Sequence, residues 1–72
     1  MRHVVESELV ANVIAVHVAA GQSVEPGDEV LLLESMKMEI PVLTEVAGTV
    51  TAVRVEAGDV VQEGEVLVVL DD

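Results

Sequence analysis

The residues best equipped for chemistry lie in one stretch, Glu34-Ser35-Met36-Lys37-Met38-Glu39. Lys37 is the only lysine in the chain, and the other basic residues, Arg2 and Arg54, lie far from it in sequence. The two internal methionines, Met36 and Met38, flank it directly. A primary amine is an acylatable nucleophile, and a collar of soft, adaptable side chains gives a modifying enzyme something distinctive to grip. The ordinary reading of such a lysine is a solvated strand residue. Apolar side chains exposed on both sides of a charge favour a recognition surface instead.

Other chemistry is poorly represented. Alternation puts His17 on the opposite strand face from Val16 and Val18, so it reads as a solvent-facing residue, and His3 is isolated. Asp28, Glu29, Asp71 and Asp72 fall at strand starts and the chain end, where solvation explains them. No nucleophile triad, phosphate-binding glycine loop or zinc-ligand spacing appears, so neither a catalytic residue nor a metal site is expected.

The elements that must position Lys37 are announced by an internal repeat at an offset of 37 residues. It aligns Glu8 with Glu45, Val13 with Val50, Ala15 with Ala52, Val16 with Val53 and Val18 with Val55. It continues with Ala20 and Ala57, Gly21 and Gly58, Val24 and Val61, Gly27 and Gly64, and Leu33 and Leu70. Each copy reads as a strand (about 10–18 and 49–55), an Ala-Gly reversal, a short polar connection and a second strand (about 30–34 and 66–70). The one apolar residue that the two connections share under the repeat, Val24 or Val61, is positioned to plug the end of the core. Two such units are too short to stand alone, so they are expected to pack face to face about a pseudo-two-fold axis. The fold class is all-β: a flattened barrel or sandwich of two small antiparallel sheets, one copy contributing to each. Residue 37 maps just beyond either terminus under the repeat offset. Lys37 and the chain ends are therefore expected at opposite ends of the molecule.

Composition agrees. Eighteen valines and no aromatic residue imply strands with a small aliphatic core, each fully buried valine contributing roughly 1.5–3 kcal/mol. Cysteine is absent, so no disulfide or thiolate cluster supports the core. A net charge of −11 argues against nucleic acid and anionic membrane partners. No apolar run is long enough for a transmembrane helix and no signal peptide opens the chain, which points to the cytoplasm.

Glu34-Ser35-Met36-Lys37-Met38 resembles the attachment motif of biotin carboxyl carrier domains, with Ser35 where alanine is commoner. Gly27-Asp28-Glu29-Val30-Leu31-Leu32-Leu33 and Gly48-Thr49-Val50 resemble the same family. The likeness covers nearly the whole chain, so 1–72 reads as a single biotinyl domain. It implies that biotin becomes amide-linked to Lys37 and that Glu34, Met36 and Met38 are read by a biotin protein ligase. A separate ligase is needed because an alkylammonium is overwhelmingly protonated at neutral pH. The chain would then be a carrier, not an enzyme, serving the biotin carboxylase and carboxyltransferase parts of a carboxylase, decarboxylase or transcarboxylase. Sister lipoyl domains place Asp-Lys-Ala here, and structural modules of this fold insert helical hairpins instead, so both alternatives fit less well.

The resemblance also implies a hairpin turn at Met36-Lys37. Local propensity does not, since no Asn-Gly or Gly-X signal occurs between Glu34 and Leu43. The family's Pro-Met-X-Gly run is replaced by Glu8-Leu9-Val10-Ala11, and the protruding thumb of some carriers is missing, as in multidomain carboxylases and small free-standing attachment proteins.

Overall fold

The computed structural model describes residues 1–72. Eight strands run in the order β1 (Arg2–Glu6), β2 (Ala11–Val16), β3 (Ser23–Val24), β4 (Glu29–Ser35), β5 (Met38–Leu43), β6 (Gly48–Val53), β7 (Val60–Val61) and β8 (Val66–Asp71). They form two four-stranded sheets, ordered β1-β8-β6-β3 and β5-β4-β2-β7, with every pairing antiparallel. The core between them is aliphatic and two-fold: Val13, Val24, Leu31 and Leu33 are matched by Val50, Val61, Val68 and Leu70. The sequence expectation of an all-β, two-sheet fold with internal symmetry therefore holds, in an envelope of 33 × 18 × 17 Å.

The symmetry extends to the register. Asn12 pairs with Glu34 and Val13 with Leu33 in one sheet, and Thr49 with Asp71 and Val50 with Leu70 in the other. The irregularities repeat too, between Val13 and Ala15 and between Val50 and Ala52. In the turns, Gly21 donates its N–H to Val50 O at 2.7 Å and Gly58 donates to Val13 O at 2.9 Å. Both glycines hold positive φ, 94° and 98°, which a residue with a Cβ adopts only under strain.

Two expectations are corrected. The repeat is longer than the identities between Glu8 and Leu70 suggest, because β1 and β5 are also equivalent. The copies, moreover, do not contribute one sheet each. Each sheet takes its central pair from one copy (β8 and β6, or β4 and β2) and its two edge strands from the other. The cause lies in the connections read as polar loops: Ser23–Val24 and Val60–Val61 cross to the opposite sheet as two-residue strands. That crossing buries Val24 and Val61, to 3% and 0% exposure, as the core plugs the sequence foresaw.

Candidate functional site

The site is built on the β4–β5 hairpin. Leu31 and Leu33 of β4 are buried, and Ile40 of β5, paired with Leu33, packs against the core. These inward side chains anchor the base of the hairpin and fix its register. Ser35 pairs with Met38, so only Met36 and Lys37 remain to reverse the chain. A two-residue reversal that matches the right-handed strand twist needs positive φ at the first central position and, in its type I′ form, at both. Met36 and Lys37 take φ of 54° and 66°, at roughly 1–2 kcal/mol per residue for a side chain with a Cβ.

This geometry turns the collar outward. Met36 is 92% exposed and Met38 66% exposed, and Lys37 is exposed between them. The Lys37 amine makes no hydrogen bond or ion pair. Glu34 stands directly across from Glu39, both exposed, a like-charge pairing that works against the hairpin. The equivalent position at the chain ends holds Arg2 opposite Asp71, an attractive pair. The hairpin thus keeps uncompensated charge where the same fold elsewhere does not. Glu34, Met36, Lys37 and Met38 converge on this single tip.

The remaining polar residues do not join it. His17 Nε2 lies 2.8 Å from Glu29 Oε2 at the surface. His3 Nε2 lies 3.1 Å from Asp72 Oδ2, and the N-terminal amine donates to Asp72 Oδ1 at 2.6 Å. These contacts with Asp72 and Asp71 raise the amine's pKa above its usual 8.0, and the amine in turn lowers that of Asp72 below the usual 3.8. The symmetry operation exchanges the chain ends with the Met36-Lys37 turn, so the two lie across the pseudo-two-fold axis from each other. Sequence reasoning missed Ser7 and Thr44, the only buried polar residues. Ser7 Oγ donates to Leu9 O at 2.6 Å, and Thr44 Oγ1 donates to Val46 O at 2.7 Å. They are 37 residues apart, and treating Ser and Thr as equivalent reveals them.

A primary amine that is exposed, unpaired and held at a strained turn suits covalent attachment of a mobile group rather than catalysis in place. Residues 3–70 match the biotin/lipoyl attachment family, described as "Biotin-requiring enzyme", and the chain belongs to that family. It is 57% identical over 44 residues to a biotinylated protein TB7.3 homolog of Mycobacterium leprae, covering 61% of this chain and 62% of the relative. It is 48% identical over 44 residues to a biotin/lipoyl attachment protein of Bacillus subtilis, covering 61% and 60%. The matched stretch thus spans about six-tenths of each relative's length. Among solved structures, urea carboxylase of Kluyveromyces lactis contains a region superposing with a TM-score of 0.91 at 30% identity, covering 99% of this chain and 6% of that one. No helix is long and apolar enough to cross a membrane.

Proposed function

We propose that the chain is a biotin carrier whose Lys37 amine is acylated by a biotin protein ligase, and that it serves the carboxylase and carboxyltransferase sites of a biotin-dependent enzyme. The observation that carries this reading is the unpaired Lys37 at the apex of a rigid hairpin, between two methionines exposed to solvent. The chemistry of the group, when bound, is that its ureido nitrogen accepts a carboxyl group at one site and releases it at another.

The chain's share follows from its geometry. Positive φ at Met36 and Lys37 closes the hairpin with Lys37 exposed at its apex, so the arm begins in solvent. Met36, Met38 and Glu34 give a ligase an apolar grip and a charge around the amine. Tethering replaces free collision with an effective concentration that reaches millimolar when the arm spans the two sites. With an ATP-dependent ligase as first partner, we read the chain as cytoplasmic.

The test is intact mass before and after incubation with biotin, ATP and a biotin protein ligase. The expected result is one added biotinyl unit on the peptide containing Lys37, and none in Lys37→Arg, which keeps the charge but removes the acylatable amine. Labelling retained in Lys37→Arg overturns the site. Uptake of lipoate from a lipoyl ligase in place of biotin moves the assignment to the sister cofactor named in the Bacillus subtilis relative.

A further inference from the structure

β1 and β5 are symmetry mates at the free edges of the two sheets, yet their edges differ. Met1 exchanges both backbone bonds with Asp72, at 3.1 Å each. At the other end of the strand, Ser7 N–H donates to Glu65 O at 2.9 Å and Gly64 N–H donates to Ser7 O at 2.7 Å. Alternation between these fixed points turns the backbone groups of Arg2, Val4 and Glu6 away from β8. The same rule turns those of Glu39, Pro41 and Leu43 away from β4. Pro41, the counterpart of Val4, has no N–H and blunts the centre of its edge, whereas the edge of β1 keeps its central donor.

The side chains of that open edge are self-complementary. Arg2, Val4 and Glu6 are the exposed residues of β1, and His3 and Val5 are half-buried. An antiparallel pairing centred on Val4 sets Arg2 against Glu6 of a second copy, Val4 against Val4, and Glu6 against Arg2. We propose that β1 is an association edge at which two copies of this chain pair antiparallel about Val4, continuing one sheet across both molecules.

The contact is isologous, as closed dimers require, and uses main-chain bonds for affinity with side chains for register. It covers Val4, which is 45% exposed, beside the groove that β1 and β5 enclose, where Leu43 is 49% exposed. A single five-residue strand gives an interface below the roughly 1,200 Å² of stable complexes, so the dimer is weak and concentration-dependent. The −11 charge on each copy opposes it over long range, and added salt screens that repulsion. Salt therefore strengthens association even though it weakens the two Arg–Glu contacts. The antiparallel arrangement sends the two Lys37 tips in opposite directions and leaves both free.

Sedimentation equilibrium of the full chain, carried to millimolar concentration at low and high salt, tests the proposal. A dimer fraction that rises with concentration and with salt is expected. Val4→Pro installs the residue the mate strand already carries at this position, so the fold tolerates it, and it should abolish the dimer. Arg2→Glu sets carboxylates against carboxylates and should weaken association at least about tenfold. Combining Arg2→Glu with Glu6→Arg should restore it, with circular dichroism confirming that each variant is folded. A chain monomeric under all conditions, a dimer that survives Val4→Pro, or a charge swap that fails to restore pairing overturns the proposal. None of these readouts depends on biotin.

Discussion

Met36 and Lys37 occupy backbone conformations that local chemistry disfavours, and the reversal holds because the strands on either side leave no other way to close. The strain is therefore a measure of what the fold invests in presenting Lys37. Met36→Gly should relieve it, since glycine accepts positive φ freely. Allowing for glycine's greater unfolded-state entropy, a net stabilisation of about 0.5–1 kcal/mol is expected, read as a higher urea midpoint. Biotinylation should fall in the same variant, because one half of the exposed collar is gone. Stability and labelling moving in opposite directions would mark the residue as functional; a Met36→Gly chain labelled at the original rate would leave the collar to Met38 alone. Lys37 stands out in the sequence through its solitude and its methionine neighbours. The turn that presents it does not, because methionine and lysine carry no turn signal and the register that compels it is a property of the paired strands.

The strands themselves were legible to differing degrees, for physical reasons. Those at the centre of each sheet repeat buried residues such as Val13, Val50, Leu33 and Leu70, whose identity packing constrains. β1 and β5 are edge strands with exposed faces, so their sequences have diverged to Arg-His-Val-Val-Glu and Met-Glu-Ile-Pro-Val-Leu, and little identity betrays their equivalence. β3 and β7 are too short for any period to show. What ends β1 and β5 is the buried pair Ser7 and Thr44, each folding its hydroxyl back onto the next turn of chain. Thr44→Val keeps the shape but strips the partner from the Val46 N–H, 3.2 Å away, and should cost about 1–3 kcal/mol of unfolding free energy. The start of β1 is held differently, by the N-terminal amine on Asp72 and Asp71. The raised amine pKa makes its contribution fully present below pH 8.0 and lost as pH climbs through the folded value. The lowered Asp72 pKa makes its contribution present above 3.8 and lost as pH falls through the folded value. The protection factor of the His3 amide, its exchange rate corrected for the intrinsic rate at each pH, should accordingly be highest between those limits and fall on either side; a protection factor independent of pH would show that β1 is held by its ladder alone.

For the whole molecule, the decisive feature is that each sheet borrows its edges from the opposite half. Neither half can complete a sheet, so peptides 1–36 and 37–72 should each be disordered as monomers by far-ultraviolet circular dichroism, and an equimolar mixture should recover the β spectrum. Cooperative unfolding of either peptide as a monomer would contradict the interleaving. The same arrangement describes how such a protein can arise. A half-length ancestor, unable to fold alone, closes with a twin by mutual loan of edge strands, and duplication followed by gene fusion turns that pair into one chain. Such a fusion alters the architecture only where the two copies are joined, which in this chain is the Met36-Lys37 turn between β4 and β5. Every other stretch has a double elsewhere in the chain whose packing it must mirror. Within residues 1–72 the Met36-Lys37 turn has no such double, so a two-fold scaffold displays a single lysine at one turn rather than a matched pair.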